Sequence, residues 1–491
     1  MRPPFSARSR RWRRACGPAT PISSPRPTRS PKPSHERGRP MSATVDLVIR
    51  DALLVTPEAS RHGAVAVDDG RIVAVGHGDA MPSARRVIEA GGRPLIPGAL
   101  DVHTHVREPG FAHKETWATA TAAAAIGGVT TIFDMPNTNP PTANADAVRE
   151  KIAIATPQAH VDFGVYGYVG EANLADLQPM AQAGASAFKL FLGSDNPLVP
   201  CPNDGAVLDA LALIRQTGLR CTVHAENTPI LNWRGAQMKA AGRDDLAAHL
   251  AQHADIATVE AVQRIALFSE WTGCKIHIAH ENCRHALPVI ASAKRRGVAI
   301  TAETCPHYLL LSMDDAERAG GNALRVKPPV REAGHAAALW AALLDGTIDM
   351  ISTDHAPHPI DEKHRASIWE TSPGFPGVET SMRLMLTEVA AGRLTLQHYV
   401  RLACEAPARA FGLWPRKGAL MVGADADLVL LDLEHRQPIR GATFQSKGKV
   451  TPFEGRETKG RAAMTFLRGT CVAQNGQILA PPGTGRSLRT A

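Results

Sequence analysis

His103 and His105 stand two apart in DVHTHV. On an extended strand that spacing turns both rings to one side, where they can reach the same cation. His224 in RCTVHAE, His280 in KIHIAH and Asp354 in IDMISTDHAPH each fall late in a short apolar run, and Lys189 sits inside AFKLFLG. Four histidines and a carboxylate at the same ends of four strands have no structural purpose without a metal ion. Such an ion polarises a carbonyl and acidifies a water. His277, one step deeper than His280, is read as a packed histidine of the interior.

These residues need a scaffold that delivers strand ends to one place. Between 95 and 412, runs rich in β-branched residues alternate with Ala-rich segments of helical spacing. The runs lie at 95–105, 128–136, 161–170, 187–193, 220–226, 275–280, 298–307 and 348–358. Eight such alternations predict an α/β fold, a (β/α)8 TIM barrel with its site at the carboxyl ends of the strands. Short alternating runs at 41–94 and again at 413–482 predict a small β-sandwich domain assembled from both flanks of the barrel. Residues 483–491 are expected to form a disordered tail.

The chain has 491 residues and a formal charge of +8. Residues 1–40 carry ten Arg, one Lys and a single acid, Glu36, for a net +10; the remainder is therefore at −2. The basic character belongs to a Pro-rich segment without helical period, expected to be a disordered extension ahead of Met41. It says nothing about a nucleic-acid partner for the folded part, and none is expected. No stretch approaches the 18 or so apolar residues of a membrane span, so no membrane association is expected either. Eight cysteines without a C-x-x-C pair point to reduced thiols and a cytoplasmic protein, with Cys283 and Cys305 read as core packing.

DVHTHVREPG, FKLFLG, VHAE, HIAH and STDHAPH, in this order, resemble the cyclic-amidase branch of the amidohydrolase superfamily, and the likeness covers nearly all of 44–480. That branch includes dihydroorotase, allantoinase, dihydropyrimidinase and hydantoinase. The resemblance implies two zinc ions, one on His103, His105 and Asp354 and the other on His224 and His280. It also implies that Lys189 is carbamylated and bridges them, since an ammonium there would repel both cations. Two cations sharing one water lower its pKa toward neutrality, and Asp354 would be the catalytic proton shuttle to the departing ring nitrogen. Family members of this kind are expected to form homo-oligomers, dimers or tetramers.

Substrate must be read from other positions. Arg107 in HVREPG, Asn137 in DMPNTNPPT and His358 in DHAPH resemble the dihydroorotase pattern, in which they would hold a substrate carboxylate; PGFPGVET (373–380) resembles its covering loop. The expectation is a zinc-dependent dihydroorotase of pyrimidine biosynthesis, interconverting L-dihydroorotate and N-carbamoyl-L-aspartate. Glu281 and Asn282 in HIAHENC, HAD at 253–255 and Lys327 in RVKPPVR depart from that pattern. Lys327 would place a cation at a substrate contact. The alternative is therefore an allantoinase, hydantoinase or dihydropyrimidinase acting on another cyclic ureide or imide. A further alternative is a silent scaffold for aspartate transcarbamoylase, but every candidate ligand is present.

Overall fold

The structure is a computed structural model that describes residues 44–489; the extension expected at 1–40 lies outside the described residues. The described residues form seventeen strands: β1 Thr44–Val55, β2 Ser60–Asp68, β3 Arg71–Gly76, β4 Ser83–Glu89, β5 Pro94–Pro97, β6 Ala99–Thr104, β7 Val129–Asp134, β8 Asp162–Val169, β9 Ala187–Phe191, β10 Cys221–His224, β11 Ile276–Ile278, β12 Ile300–Thr304, β13 Met350–Ile351, β14 Leu428–Pro438, β15 Glu457–Leu467, β16 Thr470–Gln474 and β17 Gln477–Ile478.

Strands β6 to β13 pair in sequence order into one eight-stranded parallel sheet. Both faces of the sheet are covered: β7 (VTTIFD) and β8 (DFGVYGYV) are buried at every position, the pattern of a parallel sheet walled in by helices. The ends of the sheet approach each other where Thr104 bridges His355 and the His105 amide donates to the His355 carbonyl at 2.7 Å. Helices fill the crossovers with ordinary signals. Asp204–Thr217, for example, starts where the Asn203 side chain accepts from the Ala206 amide and stops at Gly218, whose φ of 73° is left-handed. Phe411 stops the lower end of the barrel, its ring centroid 5.2 Å from Phe133 and 5.5 Å from His277.

The flanking segments build a second, mixed sheet of nine strands, ordered β17-β16-β15-β14-β5-β1-β2-β3 with β4 on β1. Its two halves join where β5 runs antiparallel to β14, Leu95 opposite Leu430 and Pro97 opposite Leu428. Leu47, Ile49, Val65, Leu428, Leu430 and Phe466 form its core. The expected combination of barrel and appended β-domain is thus present.

The tail at 483–491 departs from expectation over its described part. The Gly485 amide donates to Ala159 at 2.8 Å, Arg486 to the Asp162 carboxylate at 2.8 Å and Leu488 to Phe163 at 2.9 Å; Leu488 is buried. GTGRSL has too little apolar content to read as ordered. Its order comes from backbone pairing with the start of β8 and from Asp162, which Lys417 and Arg468 also hold. The seven described cysteines are free thiols, with Cys283 and Cys305 buried. Among the described residues no helix is long and apolar enough to cross a membrane.

Candidate functional site

The carboxyl ends of the barrel strands bring the expected residues to one mouth. His103 lies near the end of β6 and His105 just after it, and Asp354 follows β13. Nε2 of His103 is 3.3 Å and Nε2 of His105 3.1 Å from the same Asp354 oxygen. One ligand atom from each lies within 4.8 Å of the others, a spacing that can hold one ion. His224 ends β10, with its ring centroid 4.6 Å from that of His280, and His280 is 5.1 Å from His103. Lys189 sits mid-strand in β9, fully buried.

Three of the four rings, those of His103, His105 and His224, are held from behind, mostly by residues to which the sequence gave no role. Glu303, buried on β12, accepts from Nδ1 of His103 through one oxygen, and its other oxygen lies 3.0 Å from Nε2 of His277. Asn137 accepts from Nδ1 of His105 at 2.8 Å. Glu226 lies 2.9 Å from Nε2 of His224. Holding the outer nitrogen fixes ring orientation and tautomer, as at metal-binding histidines generally. His277 keeps to the interior, bonded to Thr301 and Glu303. One signal for Glu303 was available: an acid inside the buried run ITAET needs a partner.

The electrostatics of the cluster suit cations. Burial pushes His105 down to about 3 and His280 well below the ordinary histidine range, so both rings are neutral, as ligands must be. Burial opposes ionisation of Asp354, but His103 and His105 outweigh it and hold the carboxyl at about 2. Burial brings Lys189 down to about 8, against the pull of Glu303 and Asp354. Nζ of Lys189 is buried without a hydrogen-bond partner. An orphaned amine amid imidazoles and a carboxylate fits a centre built to hold cations.

Backbone strain marks the same spots. Arg107, His280 and Asp354 adopt φ of 68°, 39° and 49°. Left-handed backbone at such residues costs on the order of 1–3 kcal/mol each and collects at functional sites. Gly193 permits the close approach beside them, since a Cβ there would lie 2.7 Å from Glu226 Cβ and 3.1 Å from His224.

All ten residues expected at the site line one cavity of 440 Å³. Within it, the expected substrate contacts also have partners inside the protein. Asn137 faces His105. Nε2 of His358 is 3.0 Å from the Pro373 carbonyl and 3.1 Å from Nη2 of Arg107, and its Nδ1 is 3.1 Å from Glu362. Lys327 is ion-paired with Asp195, so the cation is matched within the protein. Arg107 keeps a buried Nε without a partner. Phe111, Phe191, Val199 and Trp369 supply the apolar part of the wall.

A parallel barrel with this cluster at its carboxyl ends defines a metal-dependent hydrolase class, and comparison places the chain within it. Residues 95–472 match the profile of the amidohydrolase family, to which the chain belongs. It is 35% identical over 446 residues to an L-hydantoinase of Paenarthrobacter aurescens, covering 90% of this chain and 97% of that protein. It is 34% identical over 449 residues to an allantoinase of Deinococcus radiodurans, covering 91% and 99%. The solved L-hydantoinase (dihydropyrimidinase) of Arthrobacter aurescens superposes with a TM-score of 0.89 at 35% identity, over 91% of this chain and all of that one. The protein is a cyclic amide hydrolase of the hydantoinase, allantoinase and dihydropyrimidinase branch. These relatives carry the names of the alternative reading and not that of dihydroorotase.

Proposed function

We propose that the protein hydrolyses a cyclic ureide of the hydantoin type, allantoin among them, opening the ring at one amide bond. The observation that carries this reading is the convergence of His103, His105, Lys189, His224, His280 and Asp354 on one cavity, in a chain 35% identical to a protein named L-hydantoinase. His103, His105 and Asp354 would hold one divalent cation and His224 and His280 a second, with carbamylated Lys189 between them. Zinc is the expected metal. When bound, the pair would supply Lewis-acid polarisation of the ring carbonyl and a water acidic enough to attack at neutral pH.

The chain's own residues supply the rest. Asp354, ionised and held by two histidines, takes the proton of the attacking water and delivers it to the ring nitrogen as the carbon–nitrogen bond breaks. Water is thereby added across the amide, hydroxyl to carbon and hydrogen to nitrogen. Arg107, on the cavity wall, would set its guanidinium against a carbonyl oxygen of the ring or of its substituent. Lys189, brought toward neutrality by burial, is nucleophilic enough to take up CO2.

The test is kcat/KM on zinc- and bicarbonate-reconstituted protein for allantoin, hydantoin, 5-benzylhydantoin, dihydrouracil and L-dihydroorotate. A hydantoin-ring substrate leading by at least tenfold supports the reading; L-dihydroorotate leading would restore the carboxylate-clamp assignment. Self-association belongs to the same reading. Ile256, Leu267 and Trp271 are 55%, 55% and 82% exposed and share one face of the helix Asp255–Thr272. Sedimentation of the wild type against Trp271→Glu checks it.

A further inference from the structure

Three of the four candidate histidine ligands are braced on the nitrogen facing away from the cluster, but not alike. His103 and His105 are braced at Nδ1, by Glu303 and Asn137, and turn Nε2 toward Asp354. His224 is braced the other way round: Glu226 holds its Nε2 at 2.9 Å, which leaves Nδ1 as the ring's available lone pair. His280 has no brace, since its Nδ1 is buried without a partner.

Glu226 is itself fixed. Its second oxygen lies 2.9 Å from Nδ1 of His253. A carboxylate only accepts, so both rings donate to it, and one anion sets two tautomers. His253 packs edge-on against His249 at 4.5 Å between centroids, and Nε2 of His249 donates to the Val326 carbonyl at 3.0 Å. Glu226, His249 and His253 are all buried. Glu226 and His253 line a small recess bordered by Gly193 and are absent from the wall of the main cavity, so they act on the site only through His224.

We infer that Glu226 and His253 are positioning residues that set the nitrogen His224 presents, and that filling of the second cation half-site depends on them. The first half-site combines two braced histidines with Asp354, their ligand atoms gathered within 4.8 Å. The second has one braced histidine and one unbraced. Removing the brace from His224 therefore leaves the second half-site with no oriented imidazole, while the first keeps both of its own. The inference rests on the two-cation reading above.

The experiment measures zinc stoichiometry by elemental analysis, and stepwise affinity by competition with a chromophoric chelator, on full-length protein stripped and reloaded with zinc. Wild type is expected to take two zinc ions. Glu226→Gln can accept from only one of its two histidines and must face the other with an N–H. It is expected to keep the first zinc at wild-type affinity and to bind the second about 10–100-fold more weakly. His253→Leu should shift the second step in the same direction, and His253→Asn, which keeps a donor toward Glu226, should restore it. A merely structural role would lower thermal stability while leaving the ratio of the two affinities intact. Wild-type affinity for both ions in folded Glu226→Gln and His253→Leu overturns the inference, as does equal weakening of both steps. A wild type that takes a single zinc ion overturns the two-cation reading itself.

Discussion

Asn137 accepts a hydrogen bond from Nδ1 of His105 at 2.8 Å, which makes it a brace for a candidate ligand. Asn137→Ala is expected to leave that N–H buried and unpaired. The first zinc should then bind about 10–100-fold more weakly, with little change in substrate preference. Asn137→Asp, which keeps the acceptor, should bind near normally. Zinc retention against a chelator distinguishes the two roles, because a lost substrate contact would raise KM and leave zinc untouched.

Asp354 is the group assigned to move the proton. Asp354→Asn keeps the shape but cannot accept it, and kcat is expected to fall by about 10²–10⁴-fold. The His224 and His280 half-site does not use this carboxylate and should still load. Turnover near the wild-type level in Asp354→Asn would end the shuttle assignment.

Lys327 is matched by Asp195 at the mouth of the cavity, with their side chains 21% and 63% exposed. An ion pair this open contributes less than about 1 kcal/mol. Lys327→Ala is therefore expected to leave kcat unchanged and to shift the unfolding free energy by no more than that amount. A tenfold loss in kcat would instead put Lys327 on the reacting ring.

Glu379, at the end of the segment 373–380, is pushed up to about 7 by burial, although it accepts from the Gln445 amide and lies near Arg383 and Lys449. The folded protein then holds a proton that the unfolded chain, with an ordinary glutamate, releases between about pH 4.5 and 7. Through that window the folded state binds more protons, so this residue's contribution to stability is full below pH 4.5 and is lost as pH rises through 7. Glu379→Gln keeps an acceptor and carries no charge. It is expected to be more stable than wild type at pH 8, by on the order of 2–3 kcal/mol, and equal to it at pH 4.5. Denaturant midpoints at the two pH values measure the difference, and parallel pH profiles would refute it.

The barrel was legible in the sequence because its strands are short, β-branched and buried on both faces, and the gathering of His103, His105, His224, His280 and Asp354 at one mouth because all fall at the ends of such runs. What the sequence hid were long-range pairings. Nothing local to Glu303 says that it meets His103 two hundred positions away, or that Glu226 reaches His253. Asn137 is legible as a site residue, but its bond to His105 is not, since its motif looks the same whether or not the amide oxygen meets that ring. The segment 483–489 was misjudged for the same reason: its order lies in backbone bonds to Ala159, Asp162 and Phe163, which composition does not encode.

The seam between β5 and β14 joins Leu95 to Leu430 across more than three hundred residues, with the whole barrel threaded between them. Closing so long a loop is entropically unfavourable unless the barrel is already compact and holds its two ends near each other. The appended sheet therefore reports on the barrel. Its N-terminal strands can pair among themselves locally, the seam is expected to form late, after the barrel has closed, and loss of the barrel should pull the sheet apart in the same cooperative step.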